Sequence, residues 1–201
     1  YGPLKALCEK AVQDVYGARS LIIRPGLIVG PHDPTDRFTY WPLRIAKGGD
    51  VLTPDRPDAM AQFIDARDLA DFIIRLIDQN VSGTFNAVGY PVTLNTIFET
   101  CKRISKSNAN FKWAPIDFLE KNNVAPWSDM PIWVPEVGED AGVSQVDVSK
   151  AVAAGLTFSP LTDTVKAIYD WEFERPAEYE MKAGLKPERE AELLKLLNHA
   201  H

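Results

Sequence analysis

Tyr1 and Lys5 stand four residues apart at the head of a segment with helical periodicity. Four residues is about one turn, so both side chains leave the helix on the same face. An ammonium beside a phenol favours the phenolate and lowers a pKa that is about 10 in model peptides. Such a pair can give and take a proton near neutrality, as oxidation of an alcohol or reduction of a ketone requires. Read alone, the spacing also describes two unrelated surface residues. The elements that follow decide between these readings.

Leu4, Leu7, Cys8, Ala11, Val12 and Val15 recur at helical spacing, with Glu9, Lys10, Gln13 and Asp14 opposite. Pro3 suits a first turn and Gly17 a helix end. Residues 20–24 form a short apolar run that predicts a strand buried on both faces, as in a parallel sheet. Pro25-Gly26 breaks it, Leu27-Ile28-Val29 extends it, and Gly30-Pro31 stops it. Residues 32–37 are polar and turn-rich. A short helix is expected over 38–46, a strand at Val51-Leu52, and another at Gln62-Phe63-Ile64 running into a helix. That helix has Leu69, Phe72, Ile73, Leu76 and Ile77 on its apolar face, with Asp65 or Asp68 as its cap. Residues 84–88 read as a strand, Thr93 as the cap of a helix through Ile104, and Phe111-Lys112-Trp113 as a strand. Residues 114–143 read as irregular, with Trp127 and Trp133 as lids or anchors. A short helix is expected over 147–154, a helix capped by Thr162, and a last helix opened by Pro187 with Glu188 and Glu190 in its first turn.

Bulk properties narrow the function classes. The chain has 201 residues, 45% hydrophobic, enough for one core-bearing domain or two small ones. Its net charge of −6 argues against nucleic acid as a partner. No apolar stretch approaches the roughly 18 residues that span a membrane. Cys8 and Cys101 fall at apolar helical positions and read as buried thiols in a reducing cytoplasm. Neither has a partner at ligand spacing, so no metal is expected.

The order of the segments carries more than any one of them. A Tyr-x-x-x-Lys helix precedes Arg24-Pro25-Gly26-Leu27-Ile28-Val29-Gly30-Pro31. Gln62-Phe63-Ile64-Asp65-Ala66-Arg67-Asp68-Leu69-Ala70 and then Gly83-Thr84-Phe85-Asn86-Ala87-Val88-Gly89 follow. This series resembles the C-terminal portion of an extended short-chain dehydrogenase/reductase of the NAD-dependent epimerase/dehydratase group. The resemblance is dense over residues 1–105 and softer to about 170.

The resemblance implies an α/β fold, the C-terminal part of a Rossmann-type NAD(P)-binding domain joined to a small mixed α/β substrate lobe. Residues 1–90 would belong to the dinucleotide-binding domain, with a substrate-lobe segment interleaved at about 31–60. Residues 91–201 would form the lobe and C-terminal helices. NAD or NADP is the implied cofactor and a small molecule the implied substrate, in the cytoplasm, with a homodimer allowed. Tyr1 would be the catalytic acid/base, and Lys5 would lower its pKa and bond the nicotinamide ribose. Pro25, Gly26, Leu27 and Ile28 would lie against the nicotinamide, at the carboxyl edge of the sheet where such folds bind ligands. By position, His32, Arg37, Tyr40, Trp41 and Arg67 are candidates for substrate contact. His32 also reads as a solvated turn residue and the Tyr40–Trp41 cluster as core, while Arg67 sits at a strand-to-helix junction.

The family's glycine-rich phosphate loop, the acidic residue for the adenine ribose and the Ser or Thr that shares the substrate oxygen all precede the tyrosine. None is in this sequence. Roughly a hundred residues of βαβ structure would supply them. The expectation is therefore an N-terminal Rossmann half absent from this chain, its partner in the complete protein, and a fragment inactive alone. The implied activity is that of an NAD(P)-dependent reductase or dehydrogenase. The alternatives are a nucleotide-sugar epimerase or dehydratase, and a non-catalytic NAD(P)-sensing module. Lys102, Arg103, Lys106, Lys112 and Lys121 read as solvated charges, not as a diphosphate site.

Overall fold

A computed structural model of the chain describes residues 1–176 and 178–199; His201 lies outside them. Helix α1 spans Gly2–Tyr16, with Pro3 in its first turn and Gly17, at φ +55°, closing it. Strand β1 (Leu21–Pro25) is followed after Gly26 by β2 (Leu27–Val29). Strand β5 (Phe63–Asp65), helix α3 (Ala66–Asp78) and β6 (Gly83–Ala87) form a strand–helix–strand unit. β1 pairs in parallel with β6 and β2 in parallel with β5. The helix between β5 and β6 is what a parallel arrangement requires.

α3 begins where its sequence says. Asp65 caps it and accepts a bond from the Arg67 amide, and Leu69, Phe72 and Leu76 face inward. Ile77 was expected on that face but is 59% exposed, and Ile73 is half-buried. These apolar residues meet Ile64, Phe85 and Ala87, joined from further along by Ala151 and Leu156. Ala151 belongs to α6 (Ser149–Ala153), which packs on β6 and is shorter than the span read from the sequence.

The larger core gathers α2 (Tyr40–Ala46), β3 (Asp50–Pro54), α4 (Leu94–Ser105) and β8 (Asn110–Ala114). It also gathers α7 (Leu161–Glu172) and α8 (Pro187–His199). β3 pairs in parallel with β8, while the two-residue strands β4 (Met60–Ala61) and β7 (Val92–Thr93) pair antiparallel. Thr93 caps α4 through its hydroxyl, as its spacing predicts. Buried Glu190 fastens α8: it pairs with Arg44 and accepts the Leu52 amide of β3 at 3.0 Å.

Several expectations are corrected. β1 is not buried on both faces: Ile22 is buried, but Leu21 and Ile23 are half-buried and Arg24 and Pro25 exposed. Among the described residues β1 pairs on one edge only, with β6. Cys8 is exposed, because no residue of α1 is buried; Cys101 is buried as expected. Residues 114–143 contain a helix, α5 (Ile116–Lys121), and Trp127 is 37% exposed while Trp133 is buried. Pro160, not Thr162, precedes α7, and the Thr162 hydroxyl bonds Asp163. Among the described residues no helix is long and apolar enough to cross a membrane, and no group of ligating side chains could hold a metal.

Candidate active site

Tyr1 precedes α1 and is 91% exposed. The Lys5 amide bonds the Tyr1 carbonyl at 3.1 Å, closing the first turn. That turn brings the Lys5 ammonium to 5.4 Å from the centre of the Tyr1 ring, the same-face arrangement their spacing predicts. A two-pronged ion pair ties α1 to the end of β1: Arg24 Nε and Nη2 donate to Glu9 at 2.7 and 2.5 Å. Arg24's hydrogen bond holds the Glu9 carboxyl below the usual carboxylate range.

Pro25, Gly26, Leu27 and Ile28 are contiguous across the break between β1 and β2. Pro25, Gly26 and Ile28 are exposed and Leu27 half-buried. The Gly26 amide bonds the Ala87 carbonyl at 3.3 Å, drawing the break against the residues after β6. A Cβ at Gly26 would stand 2.5 Å from Val88 Cγ2, so the close approach requires glycine.

The loop leaving β2 is firmly built. His32 and Asp36 both hold positive φ, 65° and 58°. Such conformations persist where the surroundings over-determine them. Asp33 accepts the Thr35 amide and hydroxyl at 2.8 Å each and the Thr39 hydroxyl at 3.3 Å. Asp36 is fully buried and accepts three bonds from the segment before α8: Arg175 Nη2 at 2.8 Å, Tyr179 Oη at 2.8 Å and the Lys182 amide at 2.9 Å. The Arg175 guanidinium also lies against the rings of Tyr179 (3.7 Å) and Trp171 (4.8 Å). Burial, then the bond to Asp36, raises the Tyr179 hydroxyl's pKa. On this frame the His32 ring lies tilted against Trp171 at 5.3 Å, and Arg37 lies 5.2 Å from the Trp127 ring.

The other candidates fall elsewhere. Trp41 is fully buried and its indole N–H donates to the Pro131 carbonyl at 2.7 Å, so it is a core residue and not a pocket wall. Tyr40 is nearly buried, with Gly184 packed so close that a Cβ there would overlap its ring. Arg67 does not point at an open anion site: Nε and Nη2 fork onto Asp65 at 2.9 and 2.6 Å. Sequence reasoning missed Asp36 and Arg175. Asp36 lies in a stretch that reads as solvated turn, and its partners are 139 to 146 residues away, with no local signal.

A parallel strand–helix–strand layer, crossed by a glycine break, is part of a Rossmann-type fold. Residues 1–88 match the model of the NAD dependent epimerase/dehydratase family. No curated protein matches the chain. Among solved structures, RMD from Pseudomonas aeruginosa complexed with NADPH aligns over 84% of this chain and 52% of its own, at 17% identity and TM-score 0.57. Thermus thermophilus UDP-glucose 4-epimerase in complex with NAD aligns over 80% and 50%, at 16% identity and TM-score 0.54. Bacillus cereus UDP-glucuronic acid 4-epimerase in complex with NAD aligns over 85% and 49%, at 18% identity and TM-score 0.52. At these identities the likeness is one of fold, and the chain spans about half the length of each structure.

Proposed function

We propose that this chain carries the catalytic helix and substrate lobe of an NAD(P)-dependent reductase or dehydrogenase of the extended short-chain type, acting on a small-molecule alcohol or carbonyl. The observation that carries the proposal is the Tyr1–Lys5 pair, with the ammonium 5.4 Å from the centre of the tyrosine ring, at the head of the segment that matches the family model. Bound NAD or NADP supplies the hydride donor or acceptor. Tyr1 Oη gives or takes the hydroxyl proton. The residues present fit the nicotinamide end of such a cofactor. Pro25, Gly26 and Ile28 offer an exposed surface, apolar at Pro25 and Ile28. His32 and Arg37 stand on the rigid loop beside it and face substrate. Residues 1–90 and 91–201 then divide as cofactor layer and substrate lobe, with about 31–60 interleaved. The apolar face of α1 and the open edge of β1 receive the rest of the cofactor layer in the complete protein. The 201-residue chain is inactive without it.

A nucleotide-sugar epimerase is the second reading, favoured by the family's description and by the activities of two of the similar structures. The two differ in redox balance: a reductase consumes reduced cofactor with each turnover, whereas an isomerisation consumes none. The test is Tyr1→Phe in the complete protein. Loss of a general acid–base should cut turnover by about 10²–10⁴, and fluorescence titration should show NADPH bound as before. Turnover at the parent rate removes Tyr1 from the chemistry.

A further inference from the structure

The structure contains a cavity of about 730 Å³ that none of the chemistry above uses. It lies between α2 and α8. Tyr40, Leu43, Arg44 and Lys47 line it from one side, at the 3- and 4-residue steps of a single helical face. The segment before α8 and the outer face of that helix line it from the other. The volume is in the range of small-molecule sites, about 300–1,000 Å³. The helices cannot close this space, because their large core residues turn elsewhere: Trp41 and Ile45 of α2, and Leu193 and Leu197 of α8, pack into the main core.

The charges around the cavity say what it can hold. Its buried charges are already matched. Arg44 pairs with Glu190, and it donates to the carbonyls of Gly48 at 3.0 Å and Asp50 at 2.5 Å. Glu190 takes the Leu52 amide with its other oxygen. The remaining surface is largely apolar: Leu43, Met181, Leu185, Ala191 and Leu194, with the Tyr40 ring. At the mouth the exposed charges are of both signs, Lys47 and Lys186 against Glu180 and Glu188. Asp50 there takes the Asn110 side-chain amide at 2.7 Å and stands 3.7 Å from Lys112. A phosphate-rich ligand needs converging cations, and here the two lysines share the mouth with two glutamates.

We propose that this cavity binds a small amphipathic molecule with an apolar body and an uncharged polar end, the body between α2 and α8 and the end at the charged mouth. The site stands whether or not the chain works as an oxidoreductase, since among the candidate residues only Tyr40 borders it.

The probe is n-octyl β-D-glucoside, titrated below its micelle concentration into the ¹⁵N-labelled 201-residue chain and followed by amide NMR. Saturable one-to-one shifts are expected at Gly48, Gly49, Gly184, Leu185 and Ala191. Ala191→Trp, or the smaller Ala191→Met should tryptophan disturb folding, fills the cavity and should weaken binding at least tenfold while the amides of β1 and β6 stay in place. Shifts that do not saturate, or that fall on the exposed face of α1, overturn the site. If n-octyl sulfate binds at least tenfold more tightly than the glucoside, the mouth reads an anion and the assignment of an uncharged end is wrong.

Discussion

Replacing Asp36 with alanine removes the buried acceptor of three part-buried hydrogen bonds at once, from Arg175, Tyr179 and the Lys182 amide. The side chains of Arg175 and Asp36 are 4% and 0% exposed, so water cannot substitute for the lost carboxylate. Breaking a buried pair from one side costs about 3–5 kcal/mol, because the remaining charge stays desolvated. Arg175 keeps Glu172 at 3.0 Å, which is 40% exposed, and that contact sets the loss toward the lower end. In a chain of this size 1 kcal/mol moves Tm by about 2–4 °C. Asp36→Ala should therefore lower Tm by about 6–12 °C. Asp36→Asn should lose less, since asparagine tolerates the positive φ and still accepts a bond. Adding Arg175→Leu to Asp36→Ala removes the stranded charge and should recover part of the loss. The assay is urea unfolding of the parent, Asp36→Ala, Arg175→Leu and the double variant as a double-mutant cycle. If Asp36→Ala costs under about 1 kcal/mol, or the double variant loses the full sum of the singles, the coupling energy inferred from this geometry is wrong.

Gly26→Ala should destabilise the chain by about 1–3 kcal/mol, since the new methyl meets Val88 at 2.5 Å. Combining it with Val88→Ala should restore part of that in the same unfolding assay, and no restoration would place the strain elsewhere. Burial raises the Asp65 pKa, but bonds from the Arg67 side chain and amide and the Thr164 hydroxyl outweigh it, so the carboxyl is held low. A carboxylate depressed by folding stabilises above its unfolded pKa of about 3.9 and loses that as pH falls through the lower folded value. Stability should thus fall more steeply below about pH 4 in the parent than in Asp65→Asn, read by unfolding at stepped pH; parallel curves refute it. A thiol reagent should label Cys8 in the native chain and Cys101 only on unfolding, counted by mass spectrometry.

What was legible in the sequence was what short-range chemistry decides. Asp65 and Thr93 cap helices because their oxygens reach amides two and three residues on. Gly26 breaks its strand where its neighbours leave no room. Legibility failed where a partner lies far along the chain. Glu190 reads as a first-turn anion favoured by the helix dipole, yet its weight comes from Arg44, 146 residues earlier. The periodicity of α1 foretold an apolar face correctly, but its burial needs a covering layer, and so Cys8 stands in water. Arg67 failed differently. The spacing offers Asp65 or Asp68 as the cap, and Asp65 is the one, but nothing in the spacing says that the guanidinium folds back on it.

The bond between Glu9 and Arg24 has a mechanical meaning. α1 buries none of its residues, with Leu4 68% and Leu7 62% exposed, so its tilt is set by a surface ion pair and the turn at its end. An exposed pair of that kind holds about 0–1 kcal/mol and softens in salt. Amide hydrogens of α1 should then exchange near the fast limit, while those of α3 and α4 approach the rate of global opening. A tyrosine on such a helix has a well-defined relation to its lysine and a loosely defined one to the sheet. Whatever settles on Leu4 and Leu7 therefore aims Tyr1, and acts as a bearing for the whole helix.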